Sequence, residues 1–221
     1  STTLTLWGSL VRSQYRPHNR TRGVRMIELF GFLGGAIGVG AGLPQVYKIL
    51  KLKHAEGLNL SSWMLIFSGS IAWAGYGVRI DSISAVTTNV IAGSINSFIL
   101  FKIMTHPIRF LIPLYATFLY FSVLTIPESL LSTFLIGLTF AQLPQVISSM
   151  ENYRRNRKSA VSIGTVSAAL ASYLCWATYG FLSGLPTVWL TSGIGFTLSF
   201  LILILEVSVL RGKLPLKMRS H

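Results

Sequence analysis

The sequence predicts an all-α integral membrane protein of seven transmembrane helices, arranged as two parallel three-helix repeats joined by one linker helix. Three observations predict it. The 221 residues are 51% hydrophobic and only 11% charged, with a mean hydropathy of +0.59, against roughly 25% charged in an average soluble domain. Seven apolar runs meet or approach the ~20 residues an α-helix needs to cross a bilayer. The tetrapeptide Leu43-Pro44-Gln45-Val46 returns unchanged as Leu143-Pro144-Gln145-Val146.

Residues 1–25 carry Arg12, Arg16, Arg20, Arg22 and Arg25, with no acidic residue before Glu28. This composition cannot bury enough apolar surface to offset its ordering entropy, so disorder is expected. An organelle-targeting segment, a translated stretch upstream of Met26 and a true tail all fit it. The first run, 27–49, is rich in glycine (Gly34, Gly35, Gly38, Gly40, Gly42), which favours close helix contact and bending, and it ends in Leu-Pro-Gln and a basic loop. The second, 60–78, ends in Trp73-x-x-Tyr76-Gly77, and the third, 83–103, follows a short turn. The fourth, 110–124, is the shortest and is bracketed or interrupted by Pro107, Pro113 and Pro127. The remaining runs are 130–148, 163–181 and 187–210, before a basic tail at 211–221.

The duplication fixes the layout. Leu-Pro-Gln-Val recurs at an offset of 100, and beyond the basic loop the offset becomes 103 and stays there. It then pairs Ser70 with Tyr173, Trp73 with Trp176, Tyr76 with Tyr179, Gly77 with Gly180, Thr88 with Thr191, and Ile91 with Ile194. Each repeat, 26–104 and 127–210, therefore holds three helices. Three is odd, so directly joined copies would be antiparallel; the linker at 105–126 adds one crossing and makes them parallel about an axis along the membrane normal.

Charge orients the bundle. The net charge of +13 sits in short clusters between apolar runs, which argues against nucleic acid as a partner. Under a seven-span topology one side collects thirteen Lys and Arg in its loops and C-terminal tail, and the loops of the other hold only Arg79. That places the C-terminus in the cytoplasm, with the five arginines of the N-terminal tail dissenting. The cell membrane is the expected location, with an organelle membrane as the alternative, and the bilayer is the expected partner; a homo-oligomer is compatible with the sequence. The single cysteine, Cys175, excludes an intrachain disulfide, and His18, His54, His106 and His221 have no metal-ligand spacing. No enzyme chemistry, metal or cofactor is expected.

Two sets of residues carry candidate function. Pro44 and Pro144 would each remove a helix hydrogen bond at membrane depth. With Gln45 and Gln145 available to satisfy the freed carbonyls, they read as a pair of hinges; the alternative is that each proline ends its helix at the membrane surface. Trp73 and Trp176 lie about two-thirds along their spans, where they suit either an interfacial belt or a pocket. Asn89, 16 residues after Trp73, and Asn96 on the same helical face favour a pocket, because amides in a bilayer face the interior or a water-filled cavity. Ser192 takes the Asn89 position in the second repeat. An aromatic plate beside amides suits a flat, neutral, polar solute such as a sugar. Glu28 and Glu206 fall near run ends, so the spans offer no evident proton carrier and facilitated diffusion is favoured over symport.

Leu-Pro-Gln, the basic loop followed by Glu56-Gly57-Leu58-Asn59-Leu60-Ser61, Trp73-x-x-Tyr76-Gly77 and the following Asn89 together resemble the PQ-loop superfamily. The nearest branch is similar to the SWEET and SemiSWEET sugar transporters, in the fused seven-helix form. The resemblance implies three-helix bundles in spatial order 1-3-2 and a central pocket lined by Trp73, Asn89, Trp176 and Ser192. It implies uniport of a mono- or disaccharide by alternating access. Intact Pro-Gln in both repeats is also similar to the amino-acid-exporting PQ-loop carriers, and the same scaffold resembles that of the non-transporting KDEL receptor.

Overall fold

A computed structural model describes residues 21–52, 60–104, 106–155 and 161–210. Among them the chain forms α1 (Thr21–Leu52), α2 (Leu60–Arg79), α3 (Ile83–Ile103), α4 (Leu111–Thr125, entered through a 3-10 turn at Ile108–Phe110), α5 (Glu128–Thr139), α6 (Leu143–Arg154), α7 (Ile163–Leu182) and α8 (Pro186–Leu210). Two sequence-based boundaries move. Residues 21–25 are the first turn of α1 rather than part of a disordered tail, and the fifth run is two helices, α5 and α6, separated by a 3-10 turn at Phe140–Gln142. The remainder of the N-terminal tail and the 211–221 tail lie outside the described residues.

Within the first repeat α3 packs on both α1 and α2; within the second, α8 packs on α5, α6 and α7. The third helix of each repeat thus lies between the other two, giving the 1-3-2 order. The linker α4 packs on α2. Arg79 explains its own isolation on the sparsely charged side: its guanidinium donates to the carbonyls of Val123 (3.2 Å) and Ile126 (2.7 Å) at the C-terminus of α4. A cation there satisfies carbonyls that the helix leaves open and complements its dipole.

The two repeats share their turns in detail. Ser82 N donates to Gly77 O (2.9 Å) and Leu185 N to Gly180 O (2.8 Å). Asp81 (φ 55) and Gly184 (φ 68), also 103 apart, hold the same left-handed corner. Gly77 and Gly180 let the next helix approach: an added Cβ would lie 2.9 Å from Val86 N and 2.6 Å from Trp189 N. The aligned threonines also match, Thr88 bonding Ser84 O and Thr191 bonding Thr187 O, both at 2.7 Å.

Five spans are long and apolar enough to cross a membrane: Met26–Pro44, Ile83–Ile103, Ile108–Thr125, Glu128–Arg154 and Pro186–Val209. The remaining two helices, α2 and α7, are 20 residues each and less apolar because they turn polar side chains inward. Ser68, Ser70 and Tyr76 of α2 and Ser172 and Tyr179 of α7 are buried. The chain is a multi-pass membrane protein whose polar helices line its interior.

Candidate functional site

One end of the bundle carries the α2–α3, α4–α5 and α7–α8 turns; the other carries the basic loops. We call them the turn end and the basic end. The buried core is distributed unequally between them. At the turn end one cluster joins both repeats, with Ala72 and Tyr76 from α2, Val123 from α4, Leu131 and Leu135 from α5, Tyr179 from α7 and Val188 from α8. Toward the basic end each repeat keeps its own cluster: Phe67, Leu100 and Ile112 in the first repeat and linker, and Val146, Val166, Leu198 and Ile202 in the second.

The contacts of α1 report the same division. Added Cβ atoms at Gly31, Gly34 and Gly35 would meet Ser84, Trp176 and Thr88 at 2.1, 2.9 and 2.1 Å, and Gly38 would meet Ser172 Oγ at 3.1 Å. Ser172 Oγ donates to Gly34 O at 2.7 Å. The glycines thus seat α1 between α3 and α7. Gly42 continues the stripe by one more turn, yet nothing lies within 4 Å of its added Cβ. The seat ends there: α1 meets α3 and α7 from Gly31 to Gly38, and no described atom approaches the same stripe at Gly42. In lipid, where apolar burial between helices gains little, close packing at small residues and interhelical hydrogen bonds carry the association.

Trp73 and Trp176 are half-buried against the shared cluster, and the ring of Trp176 lies on α1, 2.9 Å from an added Cβ at Gly34 and 3.4 Å from one at Gly31. Each stands edge-on to the tyrosine three residues later: Trp73 to Tyr76 at 5.6 Å and 87°, Trp176 to Tyr179 at 5.5 Å and 88°. The Trp-x-x-Tyr-Gly motif therefore divides its labour: tyrosine closes the core, glycine admits the next helix, and tryptophan packs at the margin of that core. Trp189, in contrast, is 42% exposed in the first turn of α8.

Asn89 is half-buried on α3 and its Nδ2 donates to Ala85 O of its own helix at 2.9 Å. Ser192 is buried on α8. Asn96 shares the inward face of Asn89, but its amide is committed: Nδ2 donates to Ser70 Oγ at 3.0 Å, tying α3 to α2. Asn96, expected to line the pocket, therefore also ties two helices of the first repeat together. The second repeat builds the equivalent tie from different residues. Tyr173 and Ser199 occupy the Ser70 and Asn96 positions, and Gln142 from the 3-10 turn supplies the amide. Gln142 Nε2 donates to Tyr173 Oη in a short contact, and its Oε1 accepts from Ser199 Oγ at 3.4 Å. Sequence reasoning missed Gln142, although its place beside the second Leu-Pro-Gln was visible.

The two prolines are placed differently. Pro144 is the second residue of α6, immediately after the 3-10 turn; Pro44 lies inside α1, which continues through it. Gln145 Nε2 donates to Ser149 Oγ at 3.4 Å; the side chain of Gln45 lies outside the described residues.

Two acidic residues stand near span ends, as expected, and both are held by hydrogen bonds there. Glu206, within the last span and 5% exposed, accepts from Ser149 Oγ at 2.7 Å. Glu28, two turns into α1, accepts from Ser84 N (2.8 Å) and Tyr179 Oη (3.1 Å). No cluster of His, Cys, Asp or Glu among the described residues could hold a metal. A groove of about 420 Å³ on the outer face of α8, around Trp189, Gly193 and Thr197, is formed by that helix alone and contains none of the candidate residues.

Comparison with known proteins agrees with this architecture. Residues 26–81 match the family model of the PQ loop repeat. No curated protein matches the chain in sequence. Among solved structures, the chain is similar to a eukaryotic SWEET transporter determined at 3.7 Å, with a TM-score of 0.66 and 13% identity over 84% of this chain and 99% of that one. Residues 26–81 thus match a PQ loop repeat, and over the 84% of the chain that aligns the fold is that of the SWEET transporter.

Proposed function

We propose that this protein carries a small neutral solute, a mono- or disaccharide before other classes, across its membrane by facilitated alternating access. The observation that carries the reading is the unequal joining of the two repeats, by one shared core at the turn end with Trp73 and Trp176 packed against it and by separate cores beyond, from which we infer a cleft open toward the basic end. The indole faces offer flat apolar surface and N–H donors to a solute ring. Asn89, whose Nδ2 is bonded to its own helix, contributes its amide oxygen, and Ser192 contributes the shorter arm of the second repeat. The C-terminus and the basic end face the cytoplasm in this reading, as the loop charges require.

Proteoliposome uptake of labelled sugars along a concentration gradient tests it. Saturable flux in the wild type, reduced about tenfold or more by Trp73→Ala and by Asn89→Ala, is expected, corresponding to about 1.4 kcal/mol or more of lost stabilisation. Absence of flux for every sugar, or normal flux in both variants, overturns the assignment. One observation favours a second reading, a proton-linked carrier of amino acids or similar solutes: Glu206 is a carboxyl group buried within a span, the type of residue that marks proton relays. Uphill accumulation driven by a pH gradient and lost in Glu206→Gln selects that reading; flux indifferent to the gradient selects uniport.

A further inference from the structure

The turn end is held shut by one polar junction in which Glu28 is central. Its two carboxyl oxygens reach different helices. Oε2 accepts from the backbone N–H of Ser84 at the start of α3, and Oε1 accepts from Tyr179 Oη on α7, in the other repeat. Tyr179 Oη lies 2.6 Å from Ser82 Oγ. Tyr179 Oη is the donor in both contacts, so its one phenolic proton is shared between Ser82 Oγ and Glu28 Oε1. Ser82 in turn caps α3, accepting from Ala85 N at 3.1 Å, and lies 3.3 Å from Ser84 Oγ. An acidic group at the first turn of a helix also complements the helix dipole. Gly31 admits Ser84 to the junction, since any side chain there would occupy the serine's position.

We propose that Glu28 is a positioning residue of the transport cycle: it latches the first repeat to Tyr179 of the second, and release of this latch opens the turn end. This rests on the alternating-access reading above. Three features single out the junction. With the Ser172–Gly34 bond it crosses between repeats, whereas the Asn96–Ser70 and Ser149–Glu206 bonds each stay within one repeat. It lies where the closure is, directly beyond the Trp176–Tyr179 pair. It is also one-sided: Glu128 is the Glu28 counterpart at offset 100, but it is exposed in the first turn of α5. Closure of the two repeats is therefore secured by a carboxyl group of the first and a phenol of the second.

The lone Cys175 supplies the test. It is half-buried on α7, one turn below Tyr179, beside Gly34, so any labelling reports on the interface itself. The rate of its reaction with a membrane-impermeant thiol reagent is measured on sealed vesicles of both orientations. In the wild type, reagent at the turn end reacts slowly. Glu28→Ala and Tyr179→Phe are expected to raise that rate at least about fivefold, the scale of one hydrogen bond, and to lower the rate from the basic end. Glu28→Gln keeps a carbonyl oxygen for Ser84 N and stays closer to the wild type. The reciprocal change separates opening from loss of structure, which raises both rates. An unchanged turn-end rate in Glu28→Ala and Tyr179→Phe, or a rise from both ends, overturns the latch. Solute flux through the same wild-type vesicles is scored separately: its absence alongside reciprocal labelling sinks the transport reading and leaves the latch standing.

Discussion

At the scale of single residues, the glycines of α1 divide into those that seat the helix and those that do not, and stability measurements should separate them. A Cβ at Gly35 would lie 2.1 Å from Thr88 Cγ2, whereas one at Gly40 meets nothing within 4 Å. Gly35→Ala is expected to cost about 1–3 kcal/mol, the range for overpacking a close-packed site. Gly40→Ala should be neutral or gain up to ~1 kcal/mol from helix propensity. Thermal unfolding in detergent reads both. The repeated corner gives a second pair: Gly184→Ala places a Cβ at φ 68 and should lose ~1 kcal/mol, whereas Asp81, of a type that tolerates this region, should gain slightly on replacement by glycine. The sequence made the glycine stripe, the Trp-x-x-Tyr-Gly motif and the matched threonines visible, because each is local and recurs at a fixed offset. It could not show that Asn96 bonds Ser70, nor that Glu28 meets Tyr179. The second pair is 151 positions apart and has no counterpart in the other repeat, so no periodicity announces it.

At the scale of elements, duplication of Leu-Pro-Gln predicts two equivalent hinges, and the two first helices differ in how they carry it. In the second repeat the helix is interrupted: α5 ends, a 3-10 turn spans Phe140–Gln142, and α6 starts with Pro144 at a position where a missing N–H costs nothing. Gln142, bonded to Tyr173 and Ser199, fixes that turn against α7 and α8. In the first repeat, position 42 is a glycine rather than a glutamine, and α1 runs through Pro44 as one 32-residue helix. A proline motif is legible in sequence; whether the helix breaks beside it depends on a tertiary anchor contributed by other helices. If the break is the hinge, Pro144→Ala should slow turnover about tenfold, about 1.4 kcal/mol on the barrier, with little change in KM, and Pro144→Gly should recover part of the rate. Flux measured over a range of solute concentrations separates the two parameters. A fall confined to KM would assign Pro144 to binding instead.

At the scale of the whole molecule, two similar three-helix units share one buried core at the turn end and keep separate cores toward the basic end. The turn end combines that shared core, the glycine seat of α1 and the Glu28 junction. The basic end has its separate cores and an unfilled stripe at Gly42. The parity of the repeats, and hence the linker α4, follows from the sequence, but the state of the cleft does not, since an alternating carrier must encode both states in one chain. The placement of Gly42 makes the state measurable. In a Cys175→Ser background, Gly42→Cys should react readily with an impermeant thiol reagent applied at the basic end and slowly from the turn end. A saturating solute that favours closure around itself should slow the basic-end reaction, because a ligand shifts the equilibrium only by its differential affinity for the two states. Equal reaction from both ends, or from neither, would mean that no water-filled cleft opens beyond Gly38.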